Sequence, residues 1–149
     1  MELESKGDEF FMRQAITEAR KAFSEGEVPI GAVVVSDGRV VGRGHNLVER
    51  LHDPTAHAEM QAITAAAASL GGKYRTDCTL YVTVEPCPMC AGACGWSQVA
   101  RIVYGASDPK RGYTTIGERL LHPRTQVTPG ILADECGALV SDFFRTLRR

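Results

Sequence analysis

The stretch Thr79-Leu-Tyr-Val-Thr-Val-Glu-Pro-Cys-Pro-Met-Cys90 constrains the fold more than any other. Its first six residues alternate and carry β-branched and aromatic side chains, the pattern of a strand. The strand runs directly into Glu85-Pro86-Cys87, where a helix is expected to begin and continue to about Ser97. Cys87 and Cys90 are three residues apart, and at a helix start that spacing sets both sulfurs on one side. The helix N-terminus also favours thiolates, the form that binds metal. A third ligand is available in His57-Ala58-Glu59, at the expected start of another helix. Any fold for this chain has to bring those two helix starts together.

Two thiolates and one neutral imidazole balance the charge of Zn²⁺. Structural zinc sites are usually closed by four protein ligands, whereas catalytic sites keep one position for water. The chain offers neither a second Cys-x-x-Cys pair nor a nearby Cys-x-x-His, which argues against a zinc ribbon. Cys94 lies four residues beyond Cys90, but using it as a fourth ligand leaves Glu59 without a role. On an ideal helix Glu59 and His57 point about 200° apart, so they do not share a metal unless His57 precedes the regular helix. A carboxylate beside the metal but not on it suits a proton carrier. A redox-active Cys-x-x-Cys fits poorly, because it ignores the His-Ala-Glu segment.

Taken in order, residues 9–25 form a helix with Met12, Ile16, Ala19 and Phe23 on one stripe, acidic Asp8 and Glu9 at its start and Gly26 as its stop. Ile30–Ser36, Asp37-Gly38 and Arg39–His45 read as a hairpin, with the valine run buried on both faces. Residues 46–54 form a loop. Thr55 is the expected N-cap of an alanine-rich helix over roughly 56–69 that closes at Gly71-Gly72. After the metal-bearing helix come a strand at Arg101–Tyr104, a loop over 105–112, a short helix near 114–121 and a weak strand at Thr125–Val127. The last helix, about 131–148, places Leu132, Cys136, Val140, Phe143 and Leu147 on one face. Helices alternating with strands predict a three-layer α/β/α sandwich, and the opening hairpin makes its sheet mixed.

Composition limits the function classes. A chain of 149 residues is most simply one domain, 1–149, and its 44% apolar and 23% charged residues are ordinary for a globular protein. No apolar run is long enough to span a bilayer, and the polar, acidic N-terminus does not resemble a secretory signal, so a cytoplasmic location is expected. A net charge of −1 confines any nucleic-acid role to a local patch. Of five cysteines, Cys78, Cys94 and Cys136 are expected to be small core residues.

The chain resembles the cytidine/deoxycytidylate deaminase superfamily and, within it, the bacterial tRNA-specific adenosine deaminases. The likeness runs from about residue 9 to 148. It is carried by Val28–Val35, Asn46, His52-Asp-Pro-Thr-Ala-His-Ala-Glu59, Thr79–Ala93 and Gly130–Cys136. It implies a cytidine deaminase-like fold with a five-stranded mixed sheet, usually as a homodimer. It also implies one Zn²⁺ per subunit on His57, Cys87 and Cys90, with Glu59 as general acid/base in converting adenosine to inosine at the tRNA wobble position. The base would be flipped from an unstacked anticodon loop into the pocket. Asn46 matches the position that contacts the target nucleoside, and Asp108, Lys110 and Arg111 lie on a loop where the family meets the anticodon stem-loop. Arg145, Arg148 and Arg149, beside Phe143 and Phe144, are candidates to grip phosphates. Each of these also has a plainer reading, as a turn residue, a solvated loop or a favourably charged helix end. One departure is Cys94-Gly95-Trp96, where bulkier apolar residues are expected and a glycine weakens the helix.

The zinc motifs do not name the base. Guanine deaminases carry similar motifs, so a free purine base or nucleoside is the alternative substrate, and the 105–112 and 130–149 segments are what favour tRNA. A zinc-stabilised binding module without chemistry is a third reading, and Glu59 argues against it, since a scaffold does not need that carboxylate.

Overall fold

The computed structural model describes residues 2–148, with side chains from residue 7 onward. One mixed sheet of five strands, in the order β2-β1-β3-β4-β5, runs through the centre. The strands are β1 (Gly31–Ser36), β2 (Arg39–His45), β3 (Cys78–Val84), β4 (Arg101–Ala106) and β5 (Gln126–Thr128). β1 pairs antiparallel with β2 and β3, whereas β3, β4 and β5 are mutually parallel. The expected Asp37-Gly38 turn is present, and both residues take the positive φ such a turn requires, 52° and 73°.

Strand alternation divides the core into two layers. Val33, Val35, Tyr81 and Val103 face one way, against Met12, Ala15 and Ile16 of α1 (Glu2–Ser24) and Cys136 of α5 (Ala133–Leu147). Ala32, Val34, Leu80, Val82 and Ile102 face the other way, against α3 (Ala58–Leu70) and α4 (Pro88–Ser97). The helices thus cover both faces, and the three-layer α/β/α sandwich expected from the sequence is present. Every residue of β1 is buried, as its valine run requires. Cys78, Cys94 and Cys136 are buried, unpaired core residues. No helix among the described residues is long and apolar enough to cross a membrane.

The approach of α3 to β2 sets the site. A Cβ added at Gly44 would lie 2.5 Å from the Ala58 carbonyl oxygen, and one at Gly42 would collide with that of Ala62. Glycines on the strand and Ala58, Ala62 and Ala66 on the helix therefore let the two backbones nearly touch. That contact holds the N-terminus of α3 at the edge of the sheet, next to the N-terminus of α4.

Several local expectations are corrected. The first helix does not begin at residue 9 but extends back to Glu2, so Asp8 lies well inside it rather than at its start. Asp8 is buried instead, accepting two hydrogen bonds from the Arg101 guanidinium at 2.8 and 2.7 Å and one from the Tyr81 hydroxyl at 2.9 Å. Thr55 is not an N-cap. Its amide and hydroxyl both donate to Asp53 Oδ1, and α3 starts three residues later with His57 in the extended N-cap position. The 46–54 loop contains a short helix, α2 (Val48–Leu51), and the expected helix near 114–121 is two separate 3₁₀ turns, at Tyr113–Thr115 and Glu118–Leu120. Gly95 is a packing requirement rather than a weak point, because any side chain there would strike the Leu120 carbonyl.

Candidate active site

The helix starts converge as the motifs demand. His57 and Cys87 occupy the N-cap positions of α3 and α4, both with extended backbone (ψ 158° and 168°), and Cys90 lies in the first turn of α4. His57 Nδ1 is 3.6 Å from Cys87 Sγ and 3.5 Å from Cys90 Sγ. The three ligand atoms all lie within 4.8 Å of one another, the one such group among the described residues. Ligands on tetrahedral zinc, with bonds of about 2.3 Å to sulfur and 2.0 Å to nitrogen, stand roughly 3.5 Å apart, nitrogen to sulfur. The donor set therefore fits zinc in chemistry and spacing. The His57 ring also hydrogen-bonds the Pro54 backbone, which fixes its orientation. Cys94 lies in the core, outside this group.

The electrostatics agree with an anionic sulfur at a helix N-terminus. The Cys87 thiol is pulled down to about 4, first by a hydrogen bond from Cys90 and then by His57 and the Cys90 amide. Cys90, as the donor in that pair, is shifted upward. The His57 pKa is raised, chiefly by its hydrogen bond to Cys87.

Because His57 precedes the regular helix, the 200° separation of an ideal helix does not apply, and Glu59 lines the same cavity. Glu59 is 4% exposed, and burial pushes its carboxyl up to about 7. A carboxyl with that value can both take and give a proton near neutrality.

A cavity of about 1010 Å³ opens above these groups. It brings together His57, Glu59 and Cys87 with Asn46, Asp108, Lys110, Arg111 and Phe144. Cys90 is fully buried beneath it. Asn46 is held at both ends of its amide, accepting from the Val48 amide at 3.1 Å and donating to the Val28 carbonyl at 3.4 Å. Asp108 Oδ1 accepts from the Lys110 and Arg111 amides at 3.2 and 3.0 Å, which turns the loop back on itself. Arg145 and Arg148 do not line the cavity. Arg145 pairs with Asp142 at 2.6 Å along α5, and Arg148 is exposed at the helix end. Arg149 lies outside the described residues.

Two residues of the cavity wall were missed from the sequence. Glu27 is buried and accepts from the amides of Glu49 and Arg50 at 2.9 and 2.8 Å, anchoring α2 beside Asn46. Glu85 is also buried, and it accepts from the amide of Asp108 at 3.1 Å. A carboxylate set directly before Val-Pro-Ile in one case, and directly after an alternating strand in the other, was the available signal.

The chain is similar to known proteins in both sequence and structure. A model of the cytidine and deoxycytidylate deaminase zinc-binding region matches residues 5–106. A tRNA-specific adenosine deaminase of Bacillus subtilis is 47% identical over 147 residues, covering 95% of this chain and 91% of that protein. A solved structure from studies of A-to-I editing by tRNA:A34 deaminases at the wobble position superposes with a TM-score of 0.81 at 40% identity, over 87% of this chain and 98% of that one. A guanine deaminase from Nitrosomonas europaea superposes with a TM-score of 0.78 at 27% identity, over 91% and 83%. The convergent His-Cys-Cys group, the buried glutamate beside it and the match across most of the chain lead to one conclusion. The chain belongs to the zinc-binding cytidine and deoxycytidylate deaminase family.

Proposed function

We propose that the protein hydrolytically deaminates adenosine to inosine at the wobble position of tRNA. The observation that carries this reading is the 47% identity, along nearly the whole chain, with a tRNA-specific adenosine deaminase. The cavity supports it. At about 1010 Å³ it sits at the top of the roughly 300–1,000 Å³ range of small-molecule sites, so one base occupies part of it and flanking nucleotides have room. Phe144, Val140 and Leu147 give one wall an apolar face on which an unstacked base can rest, and Lys110 and Arg111 supply positive charge at another.

His57, Cys87 and Cys90 would hold one zinc ion, and when bound it would supply a water that is nucleophilic at neutral pH. Asn46, fixed through both ends of its amide, orients the target nucleoside. Glu59 takes the proton released as the C6–O bond forms and delivers it to N1 of adenine. It then carries the hydroxyl proton to the exocyclic amine, the C6–N bond breaks, and ammonia and inosine leave. Low exposure of Glu59 keeps bulk water from competing for these protons. The subunit acts as a homodimer and as one domain, and it works in the cytoplasm.

The structural likeness to a guanine deaminase makes a free purine the second reading. An anticodon stem-loop with adenosine at the wobble position, and free guanine separately, are each incubated with the protein, and ammonia is measured. Release from the stem-loop alone is expected; release from guanine alone overturns the substrate assignment.

A further inference from the structure

The 107–114 loop carries Asp108, Lys110 and Arg111 to the cavity, and Tyr113 is its one side chain buried in the apolar core. Asp108 is half-buried, Lys110 and Arg111 are exposed, and of the residues that follow only Gly112 and Tyr113 are buried. The polar residues on either side of Tyr113 are tied down by one carboxylate. Glu85 is 5% exposed and sits at the end of β3, two residues before Cys87. Its Oε1 accepts from the Asp108 amide at 3.1 Å, and its Oε2 accepts from the Thr114 amide at 3.1 Å and the Thr114 hydroxyl at 2.8 Å. All three donors are neutral, so Glu85 serves as an acceptor that gathers both ends of the loop. Gly112 is packed against the same carboxylate so closely that any Cβ there would collide with it. The adjacent Pro86 carbonyl accepts from the Tyr113 amide at 2.8 Å, so the segment between strand and metal centre grips the loop twice.

We propose that Glu85 is a positioning residue for substrate: it holds the 107–114 loop in register with the metal centre, so that one strand end fixes both the reacting group and the loop that meets the polynucleotide. This rests on the tRNA reading above for the identity of the substrate, but the anchoring of the loop does not depend on it. A carboxylate is required because a glutamine presents an NH₂ to one of the two amides, replacing an acceptor by a donor. The loop's contacts are made equally before and during the chemical step, so their loss appears in KM rather than kcat.

The test compares wild type with Glu85→Gln, Thr114→Val and Thr114→Ser, each measured as the zinc-loaded full chain. Stem-loop kinetics, zinc content and amide hydrogen exchange at Asp108 and Thr114 are followed. Glu85→Gln is expected to raise KM about tenfold with kcat within about twofold, the size of losing hydrogen bonds to a charged acceptor. Zinc stays at one per chain, and exchange at both amides accelerates while the β3 amides are unchanged. Thr114→Val gives a smaller KM rise, and Thr114→Ser, which keeps the hydroxyl, restores the wild-type value. Unchanged loop exchange in Glu85→Gln overturns the proposal, as does a fall in kcat with loss of zinc, which would assign Glu85 to the metal centre. If wild type does not act on the stem-loop, the tRNA reading fails, and the exchange rates still decide whether Glu85 anchors the loop.

Discussion

Replacing Glu59 by glutamine lowers the rate of deamination by about 10³-fold, within the 10²–10⁴ range of general acid–base catalysis, and leaves zinc content and fold intact. Glutamine matches glutamate in shape but has no proton to exchange. Glu59 is almost wholly buried, and burial is the largest cause of its raised pKa, so the carboxylate is held there at a cost in solvation. Stability therefore does not fall in Glu59→Gln, and the melting temperature equals or exceeds that of wild type. Steady-state kinetics, metal analysis and thermal melting on one preparation check all three statements. Turnover retained at the wild-type rate would remove Glu59 from the mechanism.

The second large effect follows from the metal set. His57→Ala removes the one nitrogen ligand and leaves two sulfurs of a site whose three ligand atoms lie within 4.8 Å of one another. Zinc is expected to fall from one per chain to near zero after dialysis against a chelator, and deamination falls to background. The His57 side chain makes no cap hydrogen bond to α3, so the helix start itself survives. Stability drops through the lost metal and, to a lesser extent, through the lost hydrogen bond of the ring to the Pro54 backbone. Each kcal/mol of binding free energy removed lowers the melting temperature by about 2–4 °C in a chain of this size. Wild type stripped of metal recovers both activity and melting temperature when zinc is returned, whereas His57→Ala recovers neither. Full zinc occupancy in the variant would refute the ligand assignment.

The parts of this protein written in local pattern were legible before the structure. Alternation marked β3, the Asp-Gly turn marked the hairpin, and the valine run marked β1 as buried on both faces. The metal group was equally plain, because Cys-x-x-Cys at a helix start fixes two ligands by spacing alone. The errors arose where partners are distant in sequence. Asp8 looked like an acid favouring a helix start, yet its partners are Tyr81 and Arg101, and nothing near residue 8 encodes them. Gly95 looked like a helix weakness until the Leu120 carbonyl was found against it. Glu27 and Glu85 illustrate the same limit at the site itself. Each satisfies backbone amides of a segment more than twenty residues away, so burial of the carboxylate is visible only once the chain is folded. Thr55 is an instructive local error: Asp53 competes for its amide and hydroxyl, leaving His57 to begin the helix with its ring free to turn toward the two sulfurs.

The surroundings of the metal divide the labour of the site. In the proposed mechanism the His-Cys-Cys group and Glu59 account for hydrolytic deamination of a base amine, and they do not by themselves choose the base. In the proposed reaction, choice of base falls to Asn46, to the 107–114 loop and to the aromatic end of α5, all of which line the same cavity. The most direct test is the fate of one nucleotide. A full-length tRNA transcript with adenosine at the wobble position is treated with the zinc-loaded protein, reverse-transcribed and sequenced, so that inosine is read as guanosine. The account predicts conversion at the wobble position with every other adenosine of the transcript unchanged. A wobble adenosine left unconverted while the same preparation releases ammonia from free guanine would contradict it.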